Sequence, residues 1–397
     1  MREIITIFFS LFIATVFASG QLQKVLILSR HGLRTPLTSA LKRMTPKEWP
    51  AWAEDVGHLT KKGAILESYM AKYFAEWLNK EGLIESCPNE EKVDIFANTR
   101  ARTKSTAEVF VKAAFPNCNI KYHAKNSTEM DPVFNPIVRN DSKIYTDSIK
   151  EEMEKKINQL DVKEIYEMLN NITDIKNSLI CKEEQYCDLS KDKDEVIFEM
   201  GKEPNMTGPL FIGCSIADSF LMSYYEGKDK NDIAWGQIEN YKQWEVITKI
   251  LKHNLDVRFD ISVAKDICSP LLKYMKEKLL KNDEIFTLLI GHDANLVAVL
   301  RALNFDSYQL PGQLESTPVG GKVVFQKWRV NDEDLLKIEY IYQSVEQIIN
   351  AEPISMENPP KNVTLTLKGC EVDENKFCKW QEFLNILNDF SSIKTTI

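Results

Sequence analysis

Two strand-sized apolar runs stand near opposite ends of this chain, and each stops at a histidine. Lys24-Val25-Leu26-Ile27-Leu28 leads into Ser29-Arg30-His31-Gly32, and Ile285-Phe286-Thr287-Leu288-Leu289-Ile290 leads into Gly291-His292-Asp293. A short continuous apolar run is the mark of a strand buried on both faces. After the second run, Leu296, Val297, Leu300 and Leu303 recur at helical spacing. A third unit, Val93-Asp94-Ile95-Phe96-Ala97, passes through Asn98-Thr99 into Arg102-Thr103. There Ala107, Phe110, Val111 and Ala114 form the apolar stripe of a helix. Strand followed by helix, repeated, predicts an α/β fold: a mostly parallel sheet flanked by helices.

Between about residues 140 and 250 strand signals become sparse. Lys- and Glu-rich stretches such as Lys150 to Leu169 take over with a 3.6-residue period. The expected organisation is an α/β core built from residues 21–139 and 251–397, with a mainly helical subdomain inserted at 140–250. There is no internal repeat, low-complexity tract or Pro/Ser-rich linker.

The first twenty residues read as a signal peptide. Met1-Arg2 is followed by an almost wholly apolar stretch from Ile4 to Phe17 and by the small residues Ala18-Ser19-Gly20. That stretch is too short for a membrane span, which needs about 20 residues, and no second long apolar run follows. The expected product is exported without a membrane span: periplasmic in a Gram-negative source, secreted otherwise. Export suits the 8 cysteines, an even number that fits an oxidising compartment. No Cys-x-x-Cys occurs and no histidine lies near a cysteine pair, which disfavours zinc, and no metal is expected. Cys181 with Cys187 and Cys370 with Cys378 form local pairs, and Cys87 and Cys118 flank a helix-sized segment. Cys214 and Cys268 are left over, either bridged or as buried thiols. Five Asn-x-Ser/Thr sequons, at Asn126, Asn140, Asn171, Asn205 and Asn362, matter only in a eukaryotic source.

With 50 Lys and Arg against 58 Asp and Glu, the formal net charge is -8. Such a chain has no long-range attraction for phosphate backbones, and nucleic-acid binding is not expected. An anionic ligand must instead be held by a local cluster of cations. Open α/β sheets bind ligands beyond the carboxyl ends of their strands, and three strand ends here carry suitable groups. Arg30-His31-Gly32-Leu33-Arg34-Thr35-Pro36 sets two guanidiniums around one imidazole. Arginine captures phosphoryl oxygens in bidentate fashion, and fixed cations disfavour imidazolium, which leaves His31 a neutral nucleophile below pH 7. His292 offers a hydrogen-bond donor and Asp293 a proton donor at the start of a helix, whose free N–H groups favour an anion. Arg102 lies on the third strand-to-helix turn. Singly these are a solvated basic turn, a helix cap and an exposed arginine. Together they fall on one edge of one sheet, and two of only 5 histidines stand there.

Arg30 to Pro36 resembles the RHGxRxP signature of the histidine acid phosphatases, and His292-Asp293 resembles their distal HD dyad. Ala97-Asn98-Thr99-Arg100-Ala101-Arg102-Thr103 is similar to the segment that supplies a third phosphate-binding arginine. Tyr224-Tyr225-Glu226-Gly227, Ala234-Trp235-Gly236, Tyr308-Gln309-Leu310, Thr317 to Lys322, Lys337 to Tyr340 and Tyr342-Gln343-Ser344 are similar to the bacterial periplasmic glucose-1-phosphatase branch of that family. Gly32 follows the wider family where some members of the branch carry Asn.

The resemblance implies an α/β core with an inserted helical domain and a reaction without a cofactor. It implies that His31 takes the phosphoryl group as a phosphohistidine and that Arg30, Arg34, Arg102 and His292 hold its oxygens. Asp293 then protonates the leaving alcohol. It supports pairing Cys87 with Cys118, Cys181 with Cys187 and Cys370 with Cys378, and offers no counterpart for Cys214 and Cys268. It also implies that Glu226 lies near the pocket mouth, where a carboxylate repels highly phosphorylated inositols and tolerates a sugar monophosphate. The apolar Leu37 points the same way. The expected substrate is a small phosphomonoester such as glucose 1-phosphate. The alternatives are a phytase acting on inositol phosphates, an exported binding protein that has lost catalysis, and, more distantly, a phosphoglycerate-mutase-like transferase. Nothing specifies an assembly, and a monomer is expected.

Overall fold

Strand β1 (Gln21–Arg30) is buried along nearly its whole length, because its alternate side chains enter two different cores. Val25 and Ile27 pack with one hydrophobic cluster, and Leu26 and Leu28 with the other. Both faces are covered, so the strand reads as continuously apolar rather than alternating. The computed structural model describes residues 20–37 and 40–391. Of the expected signal peptide, residues 1–19 lie outside the described residues.

After β1 comes α1 (Lys61–Lys80), whose first turn is capped by Thr60 Oγ1 accepting from the Gly63 N–H. Gly63 is needed for close approach: a Cβ there would stand 2.2 Å from the Leu33 carbonyl oxygen. β2 (Val93–Ala97) then runs into α2 (Ala101–Ala114). The helical region follows with α3 (Lys143–Gln159), α4 (Lys163–Thr173) and α5 (Leu179–Glu184). A two-stranded ribbon of β3 (Glu195–Ile197) and β4 (Asn205–Thr207) precedes α6 (Pro209–Glu226) and α7 (Tyr241–Arg258). Then come α8 (Ile261–Ile267), α9 (Ser269–Leu280), β5 (Phe286–Gly291) and α10 (Asp293–Ala302). The chain ends with β6 (Lys322–Val330), β7 (Glu333–Tyr342), α11 (Val345–Ile349), β8 (Lys361–Thr364), β9 (Cys378–Lys379) and α12 (Trp380–Ser391).

The main sheet has the order β2-β5-β1-β6-β7-β8, with β9 also paired to β7. β2, β5 and β1 are parallel and form the expected core, flanked by helices on both faces. The strands from β6 onward are antiparallel, so the whole sheet is mixed. β6 and β7 are joined through Asn331 and Asp332, both with positive φ, the backbone of a tight hairpin turn whose twist matches its strands.

The first helix of the helical region, α3, begins at Lys143, and the other expected boundary is residue 250. That boundary falls inside α7, which is capped at Asn240 and buries Trp244, Ile247, Ile250 and Val257 along one uninterrupted helix. Beyond it, α8 packs on α10 and α9 packs on β1, as part of the cover of the sheet. Among the described residues no helix is long and apolar enough to cross a membrane. Three disulfides join Cys87 to Cys118, Cys181 to Cys187 and Cys370 to Cys378, and Cys214 and Cys268 are free thiols.

Behind the end of β1 lies a fully buried ion pair. Lys322 of β6 donates to Glu67 of α1 at 2.9 Å and to Ser29 Oγ at 2.9 Å. Removing one partner leaves the other charged in an apolar setting. Glu67→Ala is expected to lower unfolding free energy by about 3–5 kcal/mol in urea titrations, and Glu67→Leu combined with Lys322→Met to recover most of it.

Candidate active site

Register brings the two histidines together. In the parallel pairing of β1 with β5, Arg30 lies opposite Gly291, and Ala97 of β2 lies opposite Ile290 of β5. The residue after each partner is therefore His31 on one strand and His292 on the other. The ladder is prolonged by the His31 N–H donating to the Gly291 carbonyl at 3.1 Å and the Asn98 N–H to the Ile290 carbonyl at 3.0 Å. The two imidazoles meet edge to face with ring centres 5.5 Å apart.

His31 is buried, and its Nδ1 lies 2.8 Å from the carbonyl oxygen of Gly32. A carbonyl only accepts, so Nδ1 carries the proton and Nε2 keeps a lone pair. Burial, then Arg102, Arg30, His292 and Arg34, hold the imidazole's pKa well below the usual histidine range. Gly32 does not adopt a left-handed backbone. Its lack of a side chain matters because a Cβ would meet Leu59 Cδ1 at 2.9 Å.

Arg30 Nη1 donates to Glu315 Oε1 at 2.6 Å and to the Thr317 carbonyl at 2.5 Å. Arg34 makes a two-pronged pair with Asp218 of α6, both contacts at 3.0 Å. Arg102 Nη2 lies 3.2 Å from His292 Nδ1; burial and the nearby Arg34 pull its pKa down to about 10, which leaves it cationic in acid. The Nε–H groups of Arg30, Arg34 and Arg102 are all buried without a partner. Buried donors left unmade are costly, and the three arginines that carry them all line one cavity, as a site for an oxyanion requires.

Asp293, at the first position of α10, accepts the Ala294 N–H at 2.8 Å, and its other oxygen lies 3.7 Å from Arg30 Nη2. Burial raises its pKa, but Arg30, the Ala294 N–H, His292 and Arg34 outweigh that and pull it down to about 2. With those neighbours it is a carboxylate in mild acid. A proton donor is needed only with substrate bound, and a bound dianion cancels the same cations that depress it.

These groups line one cavity of about 380 Å³. Arg30, His31, Arg34, Arg102, His292 and Asp293 are all on its wall, as is the half-exposed Leu37. Glu226 is not. It ends α6 facing the start of α1, within the influence of Thr60 and Lys62. The wall of α6 is instead formed by Phe211, Cys214, Ser215, Asp218 and Ser219, which share one helical face. Glu203, paired with Arg258, lines the cavity. Sequence reasoning missed Glu203, Asp218, Glu315 and Asn98. Asn98 lay inside a quoted motif at a strand end, and the spacing of Phe211, Ser215 and Asp218 was legible as one face. Nothing marked that face as a cavity wall. Asn205, a sequon residue, also lines the cavity with its Oδ1 buried and unpartnered, whereas Asn126, Asn140, Asn171 and Asn362 are exposed. Among the described residues no group of three or more acidic, histidine or cysteine side chains could hold a metal ion.

The charge balance gives a direct test. Binding sulfate, a dianion in mild acid, is expected to draw about one proton onto Asp293 at pH 5. Calorimetry in buffers of different ionisation enthalpy reads that uptake. Asp293→Asn should abolish it, and an uptake of zero in the unaltered protein would mean that Asp293 stays ionised beside the anion.

Comparison with known proteins is consistent with this geometry. A family model described as histidine phosphatase superfamily (branch 2) matches residues 21–193. The chain is 43% identical over 381 residues to a glucose-1-phosphatase of Salmonella typhimurium, covering 93% of this chain and 92% of that protein. It is 28% identical over 435 residues to the phytase AppA of Escherichia coli, covering 98% of each. Among solved structures, the phytase from Citrobacter braakii superposes with a TM-score of 0.85 at 27% identity, over 94% of this chain and 98% of that one.

Proposed function

The chain belongs to the histidine phosphatase superfamily (branch 2) and is a phosphomonoester hydrolase, and from that premise we propose a mechanism, a substrate class and a compartment. The single observation that carries the mechanism is the convergence of the neutral His31 imidazole, three under-satisfied guanidiniums and the Asp293 carboxylate on a common cavity.

Arg30, Arg34, Arg102 and His292 hold the phosphoryl oxygens. Nε2 of His31 attacks phosphorus, its lone pair kept free by the Nδ1–H bond to Gly32. The P–N bond forms as the ester P–O bond breaks, and Asp293 gives its proton to the departing alkoxide. Water, deprotonated by the Asp293 carboxylate, then attacks the phosphohistidine and restores His31. A phosphomonoester has a second pKa of about 6, so in mild acid it arrives as a monoanion carrying one proton. Passing that proton to Asp293 leaves the dianion among the arginines and the acid ready.

The cavity wall holds five arginines and four carboxylates, Glu203, Asp218, Asp293 and Glu315. Several of the arginines already face a carboxylate. Such a wall accepts one phosphoryl group and repels the outlying phosphates of a polyphosphate, since like charges in a cleft cost several kcal/mol. This favours a sugar monophosphate such as glucose 1-phosphate over phytate. The three disulfides support an exported enzyme working in an oxidising compartment. The enzyme acts alone on a small molecule, as a monomer.

Two experiments test this reading. The purified enzyme is expected to release phosphate from glucose 1-phosphate at least about tenfold faster than from phytate, a margin of roughly 1.4 kcal/mol. Glu203→Ala should narrow that ratio and Glu226→Ala should leave it unchanged; the reverse ranking of substrates would make the enzyme a phytase. His31→Ala should remove turnover and the acid-labile phosphoenzyme without loss of fold. Asp293→Asn should slow alkyl phosphates by about 10²–10⁴-fold but aryl phosphates far less, because phenolate leaves without full protonation. Equal losses on both substrates would take Asp293 out of the acid role. Activity should peak below pH 7, since His31 stays neutral well into acid.

A further inference from the structure

His292 stands between two donors. Asn98 Nδ2 lies 2.9 Å from its Nε2, and Arg102 Nη2 lies 3.2 Å from its Nδ1. A neutral imidazole has one N–H and one lone pair, so it cannot accept at both nitrogens. Asn98 decides which one accepts. Its Oδ1 takes the backbone N–H of Thr99 at 2.8 Å and of Asp131 at 3.0 Å. Turned over, the amide would set its NH₂ against both of these donors. The NH₂ must therefore face His292, and it donates to Nε2. Asn98 is fully buried, and its backbone is held by the Ile290 carbonyl and the Thr103 hydroxyl.

We infer that Asn98 is a positioning residue that locks His292 in the tautomer with its proton on Nδ1, so that His292 meets the phosphoryl group as a neutral donor. The inference rests on the phosphatase reading for what His292 then touches. The groups that bear on His292 are Arg102 from α2, Arg100 just before it, Arg30 from β1, His31 just beyond that strand, Asp293 from α10, and Asn98 itself. Four of these six are cations or a second imidazole, which disfavours charging His292 with a second proton. Its donor at the phosphate side then has to come from the choice of tautomer. With that tautomer the Nδ1–H and the Arg102 N–H oppose each other across 3.2 Å. An oxygen of the anion accepts from both and relieves the conflict.

The test is ¹⁵N NMR of the full-length protein labelled at histidine, with and without inorganic phosphate, beside the pH dependence of KM and kcat. In the unaltered protein His292 should read as neutral and protonated on Nδ1 throughout mild acid. Asn98→Asp keeps an acceptor for the Thr99 and Asp131 N–H groups but takes a proton from Nε2 instead of giving one. His292 should then be an imidazolium at low pH and should lose its Nδ1 proton as pH rises. Above that transition KM should climb about tenfold or more, with kcat changed less, as a lost hydrogen bond to a charged group implies. A lone pair on Nδ1 in the unaltered protein would overturn the inference, as would an Asn98→Asp enzyme with the original tautomer and pH profile. A purely structural asparagine would alter stability and leave both readouts in place. If instead the unaltered protein turned over no phosphomonoester, the phosphatase reading would fall while the tautomer assignment stood.

Discussion

The parallel pairing of β1 with β5 is the constraint on which the site depends. Each imidazole stands one residue beyond the last paired position of its strand, so the ladder itself sets their separation. A slip of one residue would turn every side chain of β1 to the opposite face, exchanging two apolar cores and sending Arg30 where His31 belongs. Because both faces of β1 are buried, such a slip is heavily penalised. The hydrophobic run that fixes the strand thus also fixes the spacing of the reactive groups. The buried Lys322–Glu67 pair and the Ser29 hydroxyl support the same strand end from behind.

Around that frame the cations are held by different parts of the fold. Arg30 is oriented by Glu315 from the loop before β6, Arg34 by Asp218 from the helical region, and Arg102 sits on the first turn of α2. Each carboxylate lowers the cost of burying an arginine and fixes part of its fork, while leaving the Nε–H without a partner. The cluster is therefore nearly neutral as a whole and still short of acceptors. That combination suits an oxyanion small enough to fit among fixed donors, and it costs little reorganisation when charge shifts during reaction.

The parallel half of the fold was legible because its strands are short, apolar and followed by helices whose stripes follow a 3.6-residue period. Val93 to Ala97 and Phe110 illustrate this. The antiparallel half is signalled by Asn331-Asp332 between two β-rich segments, the second of which contains Lys337 to Tyr340. The site residues on strand ends were legible for the same reason as the strands. Those contributed by the helical region were not: Asp218 and Glu203 act through distance in space to residues far away in sequence. Glu226 shows how position along a helix matters as well as its face. Its motif is recognisable, and it shares the helical face of Ser215 and Ser219, but as the last residue of α6 it stands about two turns further along the axis, next to the start of α1.

Asn205 gives the cavity wall a practical consequence. Its sequon is harmless in a bacterium, where the amide only borders the cleft. Made in a yeast or animal-cell secretory line, the same polypeptide would offer this asparagine to oligosaccharyltransferase, and an attached glycan would stand on the cavity wall. The choice of production host would then decide whether the purified enzyme has an open mouth.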